Sequence, residues 1–314
     1  MSNANIHGID HHNNSNDADV TKHYEYDLNS GTSIYSKFSY KGDPREQTVI
    51  SFIKETLCPF FTFKSFSFVV IVLNMLLYII TLCVHGLDVV YMYYDFLPPS
   101  SLTLDQFGWL YGYKMRQKPA QFYRWITHNF LHASFAHVFS NCFCILFFGT
   151  MLEYLIGTWR YILIYFLSGI LGGLFSVLIK PEVSSVGASI CCYGAIAAIL
   201  GFDLVNWNHL STIYGTPNKC QILMIPILAI IFILPLQFTP YGKNVVSINE
   251  RINIFGHLGG LIFGLLLSFF IIKPKEVGYS HKIYVSIGTI GCGIFTLTGF
   301  LCFYLMNKYM GTII

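Results

Sequence analysis

The chain has 314 residues, of which 54% are hydrophobic, 17% aromatic and only 11% charged, with a formal net charge of +3 at pH 7. Soluble domains carry roughly 25% charged residues, so this composition excludes a soluble globular protein and describes an integral membrane protein. The positive charge is too small and too dispersed to recruit a nucleic acid, which needs a concentrated basic face.

Residues 1–45 open with the polar run His11-His12-Asn13-Asn14-Ser15-Asn16-Asp17. They hold too little apolar surface to offset the entropy of ordering, and a disordered tail with no signal peptide is expected. Residues 46–65 form a basic juxtamembrane segment: Lys54 and Lys64, with Lys37, Lys41 and Arg45 just ahead, suit an anionic cytoplasmic leaflet. A membrane-crossing helix needs about 17 to 25 apolar residues. Stretches 66–84, 130–152, 161–179, 189–205, 222–236, 255–272 and 283–305 meet or approach that length, which predicts an all-α polytopic fold. Pro226 and Pro235 are expected to kink or shorten the fifth span.

The first two spans are separated by a long aromatic loop holding Phe96, Phe107, Trp109, Tyr111 and Tyr113. Tyr and Trp favour the headgroup layer, so the loop is expected to lie along the membrane surface. Lys and Arg are split between the two sides with a slight bias that places the N-terminus in the cytosol. Seven of the nine cysteines fall inside the apolar stretches, where free Cys serves as a small packing residue.

Polar residues gather at the starts of the second, fourth and sixth spans. The second carries His128, His132, Ser134, His137 and Asn141, the fourth Ser189 and the sixth His257. Even-numbered spans run in the same direction, so their first turns share one side of the membrane. His137 and Asn141, like His128 and His132 and like Ser189 and Tyr193, stand four apart and are expected on common helix faces. Gly256, Gly260 and Gly264 form a glycine stripe on the sixth span, and Gly194, Ala197, Ala198 and Gly201 supply small residues on the fourth. Such surfaces allow close helix approach, which would bring Ser189 within reach of His257 as a nucleophile and its base. His137, Asn141 and the Ser189 N–H are candidate donors to an oxyanion, and Tyr193 is a candidate support for the imidazole. No acid is placed to orient His257, so a dyad is expected.

A zinc site is suggested by His128 and His132. Asn129, however, stands where the general-base Glu of HExxH belongs, and no third ligand is evident, so neither metal nor cofactor is expected. A transporter would call for an intramembrane acid near the bundle midplane, whereas Asp203 and Glu153 lie near span ends.

Three motifs resemble those of rhomboid-family intramembrane serine proteases. His132-Ala-Ser-Phe-Ala-His137-Val-Phe-Ser-Asn141 is similar to the family's HxxxxHxxxN, Gly187-Ala188-Ser189 with Tyr193 to its GxS motif, and His257-Leu-Gly-Gly260-Leu-Ile-Phe-Gly264 to its histidine helix. The resemblance implies a six-helix core over residues 66–272, with Ser189 as nucleophile, His257 as base, and His137 and Asn141 at the oxyanion. It also implies that residues 273–314 supply the extra C-terminal helix of the eukaryotic secretase-type arrangement. The implied substrates are single-pass membrane proteins, in parasite members often surface adhesins, cut in or near the membrane of a secretory-pathway organelle or the cell surface. Two departures stand out: Ile190 follows the serine where the family commonly has Gly, and Tyr123-Arg124 replaces its Trp-Arg pair. The other reading weighed is a non-catalytic rhomboid-like chaperone or quality-control factor, a kind of protein that loses the serine or histidine this chain keeps.

Overall fold

In lipid every backbone N–H and C=O must be satisfied within its own segment, and apart from two isolated bridge pairs the regular structure among the described residues is helical. The computed structural model describes residues 26–28, 32–34, 48–49, 58–88, 92, 96–236 and 253–305. Helix α1 is Phe66–His85, and the first loop contains α2 (Ser101–Phe107) and α3 (Gly112–Gln117). The remaining helices are α4 (Phe135–Ile156), α5 (Thr158–Ile179), α6 (Ser189–Val205), α7 (Lys219–Leu236), α8 (Ile254–Ile271) and α9 (Tyr279–Leu305). Five of them, α1, α4, α5, α8 and α9, are long and apolar enough to cross a membrane alone; α6 makes a sixth together with Trp207–Tyr214 across a 78° bend. Helix α7 is apolar but shorter over Lys219–Ile231. The chain is an all-α, multi-pass integral membrane protein.

Helix α6 lies at the centre, with almost its whole length buried between α5 and α8, while α9 packs outside α8 and α5. Helix α4 contains a π turn at Ile145–Gly149, where the Tyr161 hydroxyl crowds Gly149 so closely that a Cβ there would sit 2.5 Å away. Helix α1 is peripheral and is anchored at its start. The Glu153 carboxylate of α4 accepts from Phe66 N at 2.8 Å, Ser67 N at 2.9 Å and Ser67 Oγ at 2.8 Å. An anion at the first turn satisfies N–H groups that have no partner inside the helix and meets the positive end of its dipole.

Two expectations change. The second span begins at Phe135, not at 130, because Ser134 is extended and its side chain caps the helix, accepting from His137 N at 3.3 Å. The residues before it form separate turns, Arg124–Thr127 and His128–Phe130, with Leu131 extended, so His128 and His132 do not share a helix face. Helix α7 continues through Pro226 and Pro235 to Leu236. Most of the segment expected as a disordered tail lies outside the described residues, as do Lys243, Arg251 and Lys308. Where that segment is described, Tyr26 and Ile34 are buried, and Tyr26 N donates to Tyr154 O at 2.8 Å. Leu28 packs against the same core, and the Tyr26 ring lies 6.1 Å from that of Tyr154.

The first loop is a folded unit. Arg124, 1% exposed, donates to Trp109 O at 2.8 Å, Asp105 O at 2.9 Å, Gln121 Oε1 at 2.7 Å and Asp105 Oδ1 at 3.2 Å, and Lys114 pairs with the same carboxylate. Partial burial would raise the Asp105 carboxyl, but the Lys114 hydrogen bond and the Arg124 charge outweigh it and hold the group below its ordinary range. Reciprocal 2.9 Å bonds between Leu110 and Ser185 tie the loop to the segment that leads into α6.

Candidate active site

Ser189 is the first residue of α6 and follows Gly187, whose φ of +123° is a conformation that side-chain-bearing residues rarely adopt. A Cβ at Gly187 would also lie 2.6 Å from His137 Nε2, so the glycine is needed for both backbone shape and space. The tight turn is fixed from outside: Gly187 N donates to His128 O at 2.9 Å, and Ala188 N to His132 Nε2 at 3.5 Å. His128 and His132 therefore flank the approach to Ser189 from different segments and do not form a paired ligand face.

Helix α8 packs against α6 along its glycines. A Cβ at Gly264 would sit 2.2 Å from the Gly194 carbonyl oxygen, and one at Gly260 2.4 Å from that of Ile190. Gly201 faces Ser268 in the same way, with its Cβ 1.7 Å from Ser268 Oγ. This contact places Ser189 Oγ 2.7 Å from His257 Nε2, with each residue 5% exposed. The Tyr193 ring lies over the imidazole, centroids 4.7 Å apart and planes inclined by 34°. Among the described residues no carboxylate pairs with His257.

His137 and Asn141, four apart on α4, both turn toward Gly187. The same Cβ that measures 2.6 Å from His137 Nε2 measures 3.5 Å from Asn141 Nδ2. Asn141 Nδ2 is buried and has no hydrogen-bond partner among the described residues, as expected of a donor left for a guest. Two side-chain donors thus converge on the backbone just ahead of Ser189, where negative charge would develop if Ser189 attacked a carbonyl. Cys191 and Cys192 are buried and free, Cys191 near Asn129 and Cys192 near Asn141.

Ile190 does not enter this space. Its side chain fills a socket between α5 and α8, against Gly172 (a Cβ there would be 2.6 Å from Ile190 Cγ2) and Gly256 (2.8 Å from Ile190 Cδ1). The α5 half of the socket adds to the sequence analysis a second small-residue face, on which Ser168, Gly172 and Ser176, and beside them Gly169 and Gly173, stand four apart. Asn253 was likewise unmarked, yet an Asn directly before an apolar run is a helix-start signal, and it caps α8.

A family profile described as the Rhomboid domain matches residues 119–274. RHOMBOID-like protein 1 of Arabidopsis thaliana is 38% identical over 187 residues, 59% of this chain and 43% of that protein. Inactive RHOMBOID-like protein 8 of the same plant is 31% identical over 188 residues, 59% of this chain and 49% of its own. Rhomboid-like protease 3 of Toxoplasma gondii is 33% identical over 156 residues, 50% and 54% respectively. The matched portion spans about half the length of each relative. With the serine turn, the histidine helix and the HxxxxHxxxN segment all inside the matched region, the chain belongs to the rhomboid family.

Proposed function

We propose that this protein is an intramembrane serine endopeptidase that cuts single-pass membrane proteins within or beside their spans. The observation that carries the reading is the 2.7 Å contact between Ser189 Oγ and His257 Nε2 inside a buried helix junction. With the imidazole proton on Nδ1, Nε2 accepts the Ser189 proton as Oγ attacks the scissile carbonyl carbon. The resulting oxyanion is held by His137 Nε2–H, Asn141 Nδ2–H and the Ser189 N–H; losing one such donor typically costs about 2.7 to 4 kcal/mol. The imidazolium then returns its proton to the leaving amine, and a water repeats the sequence on the acyl-enzyme. Tyr193 holds the ring in plane where a triad would use a carboxylate.

Substrates of this chemistry arrive through the lipid, so a transmembrane segment that unwinds readily is the substrate class. The site is placed in a secretory-pathway or cell-surface membrane, with the N-terminus in the cytosol. Ser189→Ala and His257→Ala are each expected to abolish cleavage of a reporter with a helix-breaking transmembrane segment while the protein stays folded in detergent. Undiminished cleavage by folded Ser189→Ala would sink the reading. The name of the inactive Arabidopsis relative raises a non-catalytic role as the second reading. It requires that the wild-type chain neither cleave the reporter nor be labelled at Ser189 by a fluorophosphonate.

A further inference from the structure

Asn253 makes more contacts than a helix cap needs. Its Oδ1 accepts from Gly256 N at 2.7 Å, which is the cap itself, and also from Ser176 Oγ of α5 at 2.5 Å. Its Nδ2 donates to Ser185 Oγ at 2.9 Å, and its backbone oxygen accepts from His257 N at 3.0 Å. Ser or Thr would supply the cap equally well. A longer, two-headed side chain is needed to join the start of α8 to the end of α5 and to the segment leading into Ser189. Ser185 is in turn pinned to Leu110 of the first loop by reciprocal 2.9 Å bonds.

We propose that Asn253 is a positioning residue: its amide fixes the rotation and height of α8 against the Ser185 segment, and so holds His257 Nε2 on Ser189 Oγ. The glycine contacts let α8 approach but offer no directional bond that sets where along α6 it stops. The Asn253 amide supplies those bonds one turn before His257. The proposal rests on the hydrolase reading only for its kinetic consequence, since the geometry it asserts exists without substrate.

The test compares Asn253→Ser, which keeps the cap but is too short to reach both serines, with Asn253→Asp, whose oxygens can accept from Gly256 N and from both hydroxyls. Misplacement of a reacting atom by about 1 Å costs about 100-fold. Asn253→Ser is expected to lower kcat by about tenfold to 100-fold, with KM held within about twofold. Fluorophosphonate labelling of Ser189 should slow in parallel, the thermal midpoint should stay near wild type, and Asn253→Asp should restore most of the rate. Adding Ser185→Ala to Asn253→Ser should produce no further loss, since Asn253→Ser has already broken the bond to Ser185. The imidazole 15N signals of His257, read without substrate, should shift in Asn253→Ser and return in Asn253→Asp. Wild-type kcat and unmoved His257 signals in folded Asn253→Ser would overturn the proposal, as would full additivity with Ser185→Ala. A wild-type chain that neither labels nor cleaves defeats the hydrolase reading instead, and the nitrogen signals still decide the role of Asn253.

Discussion

The two ends of α6 each bury a polar pair, built by different means. At its start Ser189 meets His257, 68 residues further along the chain; near its end Asp203 accepts from the Tyr214 hydroxyl at 2.8 Å, 11 residues on. The second pair is local: the 78° bend after α6 returns Tyr214 to Asp203 within one short stretch of chain. The first exists only while α8 lies against α6 at backbone distance. A long-range pair in a membrane bundle therefore registers every change in helix packing, and a local one does not.

Changes in the seam should separate the two pairs. Gly264→Leu would drive a side chain into the Gly194 backbone, and is expected to destabilise the fold by about 1 to 3 kcal/mol or more. It should also eliminate fluorophosphonate labelling of Ser189 in whatever protein remains folded. Ile190→Ala empties the socket and is expected to cost about 2 to 5 kcal/mol, against about 0.5 to 1.5 for Ile190→Val. Thermal unfolding in detergent would read both, and a null effect of Ile190→Ala would refute the socket. At the other end, Tyr214→Phe leaves a buried Asp203 oxygen without its donor and is expected to cost about 1 to 3 kcal/mol. Cleavage per folded molecule should not change; a lost rate there would show that the two ends are coupled.

The smallest effect is expected in acid. The Asp105 carboxyl sits below its ordinary value in the folded loop, so its contribution is present above that value, about pH 3.9, and fades as pH falls through the lower folded value. Trp109 fluorescence should report loop loosening only below about pH 4, and Asp105→Asn should remove that step.

The spans and the Ser189–His257 contact are legible in the sequence because both follow from simple periods. Apolar runs of membrane length mark the helices, spans of equal parity start on one side, and glycines at intervals of four mark the close seam. What escaped had no period. Ser134 breaks the second span by capping it, which removed His128 and His132 from a common face although their spacing fitted one. Asn253 acts through partners on two other segments, and nothing in its neighbours' identity points to Ser176 or Ser185. The face of Ile190 was undecided in sequence because its neighbours on α5 and α8 come from distant parts of the chain. Tyr26, Leu28 and Ile34 are spaced among Asp27, Asn29, Ser30, Thr32 and Ser33 with no helical or strand period to mark them as core.

Helix α9 bears on where the chain can be divided. Trp125 of the first loop lies edge-on to Phe300 and Phe303, with centroids 5.2 and 5.3 Å away, and the Arg116 guanidinium sits 4.8 Å from the Phe303 ring. Met115, Leu110 and Trp125 are buried in one cluster with Phe303 and with Leu174 and Val177 of α5. A chain cut after residue 272 would expose this cluster and the buried arginine together, and would loosen the loop that holds Ser185. Helix α9 is thus part of the same folding unit as α5 and the first loop, and a shortened chain that keeps the loop folded is expected to need it.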